Sequence, residues 1–268
     1  MSDDQSGTFR QTDVLDPARA QALFATLGQD RAVAVGDALP PFFHQIYFWS
    51  ALPPDLLGRD GHPARGQGVV PDMGLPRRMW AGGRLTFHNS LRAGVSATCN
   101  ATLLSATEKK GRSGALGLVT VGYRYLQDGV LCIEEERDLI YRADPDPADL
   151  QPKPLVAARD EIFAQSVEFS RTLLFRYSAL TFNGHRIHYD ADYAQNIEGY
   201  AGLVVHGPLL AQHLMLFAEQ NSGPLRGFQF RATAPLMDFE KATLCQNGHR
   251  LWVRGPDGRQ CMQAEIAV

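Results

Sequence analysis

A chain of 268 residues that is 44% hydrophobic and 21% charged can bury a full core, as one large domain or as two of about 130 residues. Disorder and fibrous repeats are excluded by that composition, and a net charge of −3 removes the electrostatic argument for a nucleic-acid partner. Four cysteines (Cys99, Cys132, Cys245, Cys261) stand far apart with no CxxC pair, which excludes a zinc ribbon or thioredoxin-type centre and reads as buried reduced thiols.

The N-terminus, MSDDQSGTFRQTDVLD, is acidic and polar where a secretory signal needs a basic and then an apolar stretch. No apolar run approaches the roughly 20 residues that cross a bilayer, so a cytoplasmic protein without a membrane partner is expected. Asp16 to Leu27 starts with Asp-Pro, carries apolar residues at helical spacing and ends at Gly28, which predicts a short helix. From Gly36 to Gly83, proline and glycine are dense and Phe42, Phe43, Tyr47, Phe48, Trp49 and Trp80 are interleaved, which predicts long ordered loops packed on something.

After Arg84 the runs SATCNATLLSATE, ALGLVTVGYRYL and VLCIEEERDLIYR, broken at KKGRSG and LQDG, read as an antiparallel meander. Prolines and aspartates from Ala143 to Pro154 read as a linker, placing an N-terminal unit at 1–142, a connecting segment at 143–160 and a C-terminal unit at 161–268. RTLLFRYSAL reads as a strand, and PLLAQHLMLFAEQ as a helix whose apolar face is Leu209, Leu210, Leu214, Phe217 and Ala218. Strand-like LRGFQFRATAPL, KATLCQN, RLWVRGP and QCMQAEIAV close the chain. Their layout echoes the first half, which suggests an α+β fold made of a duplicated unit, a helix laid across a curved antiparallel sheet. The first half has no equally clear central helix; its best candidate falls in the aromatic loops before Trp80.

Chemistry gathers in TFNGHRIHYDADYAQNIEGYAGLVVHG, from Thr181 to Gly207. His185 and His188 have an HxxH spacing with Asp190 as a third donor, but Arg186 between them sets a fixed positive charge beside any metal, and no metal is expected. No GxSxG turn, no cysteine beside a histidine and no closed phosphate loop is present, so nucleophilic, kinase and dehydrogenase readings lose ground. What remains is acid–base chemistry: a neutral histidine can take a proton from water while a neighbouring amide fixes that water. His188 and Asn183 supply that pair, ahead of a helix N-terminus at Gly207 able to receive developing negative charge.

These residues resemble the hydratase-2 motif of MaoC-like, hot-dog-fold enoyl-thioester hydratases and dehydratases, Asp-x-Asn-Pro-aliphatic-His. Laid on this chain, the motif's catalytic Asp falls on Asn183, its Asn on His185, its Pro on Arg186, its aliphatic residue on Ile187 and its catalytic His on His188. The oxyanion glycine of the family falls on Gly207. The run FNGHRIHYD and the signature PRRMWAGGRL, Pro76 to Leu85, are similar to the branch of mesaconyl-C4-CoA (3-methylfumaryl-CoA) hydratases and type 2 3-hydroxyacyl-thioester dehydratases.

That resemblance implies a double hot-dog, two antiparallel sheets each wrapping a helix in one chain, with the catalytic residues in the second unit and acyl-chain walls from the first. It implies a hydro-lyase with no cofactor, acyl-CoA as the partner, and a homodimer or higher homo-oligomer. His188 is the base, Gly207 the oxyanion donor, Asn183 a water-positioning amide and Asp190 a fallback carboxylate. An amide cannot take a proton, so the departure at Asn183 bears directly on mechanism.

Each role has a plainer counterpart. His188 and His185 can be core histidines, and His206 can merely hold the turn before the helix. Arg186 can meet a substrate carboxylate or pair with Asp190 or Glu198. Arg77, Arg78 and Arg84 can meet coenzyme A phosphates or that carboxylate, or form local ion pairs. Tyr200 can line an acyl pocket or fill the core. Three functions follow: hydration of a short branched dicarboxylic enoyl-CoA (mesaconyl-C4-CoA or itaconyl-CoA, giving citramalyl-CoA), dehydration of (3R)-3-hydroxyacyl thioesters on CoA or acyl carrier protein, and acyl-CoA binding without turnover. Pocket arginines discriminate the first two, because a terminal carboxylate needs a cationic partner and a plain acyl chain an apolar tunnel.

Overall fold

A computed structural model describes residues 8–111, 114–144 and 153–268. Alternating residues of Thr8–Val14 form β1, an edge strand paired with Ser96–Thr102, so this part of the polar N-terminus is built into the sheet. Residues 1–7, the tip of the KKGRSG turn at 112–113 and 145–152 of the expected linker lie outside the described residues.

Helix α1 (Pro17–Thr26) starts where the Asp16 side chain accepts from the Ala18 N–H and Pro17 fills the first helical position. Four long strands complete the first half: β2 (Arg77–Phe87), β3 (Ser96–Gly111), β4 (Gly114–Gln127) and β5 (Val130–Arg142). The second half has β6 (Phe163–Glu168), then helices α2 (Arg171–Leu180), α3 (Ala191–Asn196) and α4 (Gly207–Ser222), then β7 (Gly227–Ala232), β8 (Lys241–Asn247), β9 (Arg250–Arg254) and β10 (Gln260–Ala267). RTLLFRYSAL is thus the helix α2, not a strand. Its aromatic and apolar content suits either element, but Leu174, Tyr177 and Ser178 are buried at helical spacing and the Ser170 hydroxyl accepts from the Leu173 N–H at 3.2 Å as an N-cap.

All strands join one antiparallel sheet in the order β1-β3-β4-β5-β2-β7-β10-β9-β8-β6. Read from either end, the first five strands and the last five follow the same connectivity, which is the double hot-dog. The two units meet where β2 runs beside β7. There a Cβ on Gly82 would stand 2.5 Å from the Phe230 carbonyl oxygen, so the AGG of the PRRMWAGGRL signature is a requirement of close strand approach.

The units differ in what their sheets wrap. In the second, α4 buries Leu209, Leu210, Ala211, Leu214, Met215, Phe217 and Ala218 against the strands. In the first, the aromatic loops carry only 3-10 turns at Phe43–Ile46 and Pro54–Leu56, and α1 with the first of these turns fills the core. Phe24 and Phe43 rings lie 4.6 Å apart, and Phe42 packs on Trp80 and Phe230 across the seam. All four cysteines are free and buried, and among the described residues no helix is long and apolar enough to cross a membrane.

Buried beneath the aromatic turn, the Glu135 carboxylate of β5 accepts from His44 (3.0 Å), Tyr125 (3.0 Å), Gln45 (3.1 Å) and Arg137 (2.9 Å). Burial opposes its ionisation, yet the Arg137 charge and the His44 hydrogen bond hold it well below the usual carboxylate range. Arg137 in turn lies 4.1 Å from the centroid of the Tyr123 ring and 4.6 Å from that of Trp80. Removing the carboxylate leaves a buried guanidinium unpaired, so Glu135→Ala is expected to lower unfolding free energy by about 3–5 kcal/mol in urea titrations. Because the folded value is depressed, the carboxylate's contribution is complete above its ordinary value of 4.5 and declines as the pH falls below it.

Candidate active site

The segment after α2 is wound tightly by its own polar groups. The Asn183 side-chain oxygen accepts from the His185 N–H at 3.1 Å, an Asx turn that aims the following residues inward. A 3-10 turn at Arg186–His188 then buries Ile187 and His188. The His188 Nδ1–H donates to the Val204 carbonyl at 2.7 Å, so Nε2 is the nitrogen with the free lone pair. Burial pushes His188 down to about 4, which keeps the ring neutral at physiological pH.

His188 stacks on His206, with ring centroids 3.7 Å apart and planes at 19°. His206 is fully buried, its Nε2 lies 2.8 Å from the Ser178 hydroxyl of α2, and burial lowers its basicity strongly. His185 also lies against His188, ring centroids 5.3 Å apart and planes at 86°, and is likewise driven neutral by burial. Next in line is His62, whose ring centroid is 4.2 Å from that of His185. Four imidazoles, one from the first half of the chain and three from the second, are therefore linked by successive ring contacts.

Gly207 is the first residue of α4, and no side chain caps that end. The first N–H groups of a helix have no intrahelical acceptor, and Pro208 contributes none, so the Gly207 N–H is available at the positive end of the helix. A Cβ at Gly207 would stand 3.7 Å from the Trp80 carbonyl oxygen, which places strand β2 against this helix end.

Other candidates are engaged elsewhere. Asp190 caps α3, its Oδ1 accepting from the Tyr193 N–H at 3.0 Å and its Oδ2 from Arg186 at 2.7 and 3.0 Å. The Tyr193 amide and the Arg186 guanidinium hold it below the usual carboxylate value. It does not orient His188; the Val204 carbonyl does. Arg186 also donates to the Arg59 carbonyl and covers the Tyr193 ring at 4.3 Å, which favours its ion-pair reading. Arg77 pairs with Glu198 and donates to the Tyr200 hydroxyl at 3.3 Å. Arg84 is bound by Glu136 and Asp138 at 2.7 Å.

Arg78 is different. It lines a cleft of about 240 Å³ with Asp60, His62, Pro76 and Tyr141, and among the described residues no carboxylate oxygen lies within 4.0 Å of its guanidinium nitrogens.

Asp60, His62, Ser178 and Val204 are members of this constellation that sequence reasoning missed. The first two lie in GRDGHP, a stretch that reads only as loop; a carboxylate two residues from a histidine around a glycine was the available signal. Asp60, His62 and His185 are also the group whose ligand atoms, within 4.8 Å of one another, are close enough to share a cation. His188 and Asp190 do not belong to that group. Both oxygens of Asp60 already accept from His62, and the Arg78 charge acts on the pair, so the geometry is that of a hydrogen-bonded acid–base pair.

The family model of hydroxyacyl-thioester dehydratase type 2 matches residues 42–238. The mesaconyl-C(4)-CoA hydratase of Chloroflexus aurantiacus is 47% identical over 263 residues, covering 94% of this chain and 91% of that protein. The mitochondrial hydroxyacyl-thioester dehydratase type 2 of Schizosaccharomyces pombe is 29% identical, with 81% of this chain and 80% of that protein covered. Among solved structures, a MaoC-like dehydratase superposes with a TM-score of 0.70 at 14% identity over 97% of both chains. A Mycobacterium tuberculosis protein described as having a double hotdog fold superposes with a TM-score of 0.58 at 14% identity, covering 99% and 96%. At such identity these likenesses speak for the fold alone.

His188 is expected to stay neutral through pH 6 and to take up its proton near pH 4, read from the ring resonances in an NMR titration. Since the folded value lies below the ordinary 6.5, its contribution to stability is present above pH 6.5 and lost as the pH falls towards 4. A midpoint at or above 6.5 would contradict the dry, neutral site.

Proposed function

The chain belongs to the hydroxyacyl-thioester dehydratase type 2 family of hydro-lyases, and from that premise we propose that it hydrates mesaconyl-C4-CoA to citramalyl-CoA. The β-carbon of this substrate carries a methyl group and a free carboxylate, and its double bond is conjugated with the thioester carbonyl. Water attacks the β-carbon while electron density moves onto the carbonyl oxygen.

In this reading His188 Nε2 takes the proton from water and returns it to the α-carbon, so the two hydrogens and the oxygen of water are all accounted for. The Gly207 N–H, reinforced by α4, receives the enolate-like charge; one such donor is worth about 2.7–4 kcal/mol in a protease oxyanion hole. Asn183 spends its side-chain oxygen on the Asx turn and keeps its NH2 group for positioning. Arg78 binds the free carboxylate.

Arg78 is the observation that carries the substrate class, together with the 47% identity to a hydratase of that name. A guanidinium that faces an open cleft, while Arg77, Arg84 and Arg186 are each paired with carboxylates, suits a planar anion arriving with the substrate. A second reading, dehydration of straight-chain 3-hydroxyacyl thioesters on CoA or acyl carrier protein, draws support from the more distant yeast relative. The buried free thiols favour a cytoplasmic setting, and the unpaired edges of β1 and β6 favour a homodimer.

Loss of the conjugated enoyl-thioester absorbance is expected with mesaconyl-C4-CoA and, more slowly, with crotonyl-CoA; no change with either sinks the enzyme reading in favour of a binding module. His188→Ala should lower kcat by about 10²–10⁴-fold. Arg78→Met should reduce kcat/KM for mesaconyl-C4-CoA by about 10–100-fold, the range of one charged hydrogen bond, and much less for crotonyl-CoA. An equal loss on both would remove Arg78 from carboxylate binding. Activity surviving in Asn183→Asp supports a positioning role, whereas a large loss means that the amide itself is needed.

A further inference from the structure

When His188 takes a proton from water it becomes an imidazolium in a dry site, where an unpaired charge is costly. Among the described residues no carboxylate oxygen lies within 4.0 Å of the His188 ring nitrogens. Asn183 is an amide, and both Asp190 oxygens serve Tyr193 and Arg186. The Val204 carbonyl, accepting from Nδ1–H, meets one edge of the ring. The nearest aromatic contact is His206, parallel to within 19° at 3.7 Å between centroids, whereas His185 stands at 86° and 5.3 Å.

The place of the His206 ring is closely fixed. Its Nε2 lies 2.8 Å from the Ser178 hydroxyl, and the Tyr177 ring meets it at 67° with centroids 5.0 Å apart. The Ser178 carbonyl accepts from the Asn183 N–H at 2.8 Å, so the residue that pins His206 also begins the turn leading to His188. Two residues before His206, Val204 accepts from His188 and donates its own N–H to the Ile187 carbonyl at 3.0 Å. The His206 carbonyl accepts from the Leu210 N–H at 3.1 Å as the first bond of α4, and the Gly207 N–H follows directly. Base, supporting ring and helix end are therefore tied to one short stretch of backbone. A side chain that only filled this space would be apolar: His206 Nδ1 is buried with no hydrogen-bond partner among the described residues, a cost that a phenyl or isobutyl group avoids.

We propose that His206 is a positioning residue of the hydration site: pinned by the Ser178 hydroxyl, its ring is the face on which His188 rests and against which the imidazolium forms. This rests on the hydratase reading. His188 takes one proton from water and returns it to the α-carbon, and His206 gains and loses none. A cation against the face of a neutral ring is attracted by its π electrons, the more so where water is excluded. Burial supplies that neutral face, depressing His206 strongly while His188 stays at about 4, so the proton goes to His188 and not to its support. The other titratable rings on this side, His185 and beyond it His62, are held neutral by burial with the Arg78 charge acting on both, so no second imidazolium opposes the first.

His206→Leu, which removes the face, is expected to lower kcat about 10–30-fold with KM within about twofold of wild type, and His206→Phe, which restores a face, to recover most of that loss. Ser178→Ala should lower kcat about threefold to tenfold, the range of one hydrogen bond, yet add nothing to His206→Phe, where the hydroxyl has no ring nitrogen to hold. The His188 ring gives a readout that needs no turnover. Because the face favours its charged form, proton uptake followed by NMR should move about one pH unit lower in His206→Leu and stay near 4 in His206→Phe. Equal kcat in folded His206→Leu and His206→Phe overturns the inference, as does an unshifted His188 midpoint in His206→Leu. A loss carried by KM overturns it too, by making His206 a substrate contact. If His206→Leu melts far below wild type, Ser178→Ala decides alone, and a kcat less than about threefold below wild type counts against the inference. Rates are taken on whichever enoyl-CoA the wild type hydrates fastest, so inertness towards mesaconyl-C4-CoA sinks the substrate assignment alone. Where no thioester is hydrated the hydratase reading falls, and the His188 titration still decides whether His206 supports the cation.

Discussion

Strands β2 and β7 can run side by side only because Gly82 offers no side chain to the Phe230 carbonyl, and the relation between the two units rests on that seam. It joins two five-stranded units into a single sheet, and in doing so it sets Trp80 of the first unit over the start of α4 in the second. The aromatic loop that precedes β2 is then forced across the neighbouring unit. There the Trp49 indole donates to the Leu180 carbonyl and stacks on Phe182, and the Gln212 amide of α4 donates to the Pro41 carbonyl. These contacts hold the first unit's loop against the elements that carry the candidate site.

Buried polar groups are used in two opposite ways. Around Glu135 the interior is made to hold charge, with Arg137, His44, Tyr125 and Gln45 saturating one carboxylate. Around His188 the interior is made to refuse charge, because burial and a lone carbonyl partner leave the imidazoles neutral. The first arrangement is rigid scaffolding under the aromatic turn. The second keeps lone pairs available next to a helix N-terminus, the arrangement on which the proposed hydration draws.

Much of this was legible along the chain. The apolar face of Leu209 to Ala218, the strand periodicities and the motif from Asn183 to Gly207 are local patterns, and local patterns survive without tertiary information. α2 was misread because RTLLFRYSAL has strand-like composition, and only its capping serine and buried face decide for a helix. The pairing of Arg186 with Asp190 was legible only as one of three partners open to that arginine, since an i,i+4 ion pair becomes certain only when the intervening turn is known. Asp60 and His62 offered only the weak signal of a carboxylate two residues from a histidine, in a loop more than a hundred residues from His185, whose ring His62 meets.

What the sequence determined by itself is therefore the chemistry available: which side chains can accept a proton, where a helix begins, and the double hot-dog to which the motif and the echoing strand pattern point. Tertiary structure decided the assignments, namely that a backbone carbonyl orients His188, that Asp190 is occupied, that Arg78 alone of its neighbours in the signature faces a cleft unpaired, and that the first half reaches into the second half's site. The reason is physical. Residue type and short-range spacing fix intrinsic acidity and helical or strand period, but desolvation, tautomer and pairing depend on which distant backbone comes to lie against a group, and that is settled only when the seam closes.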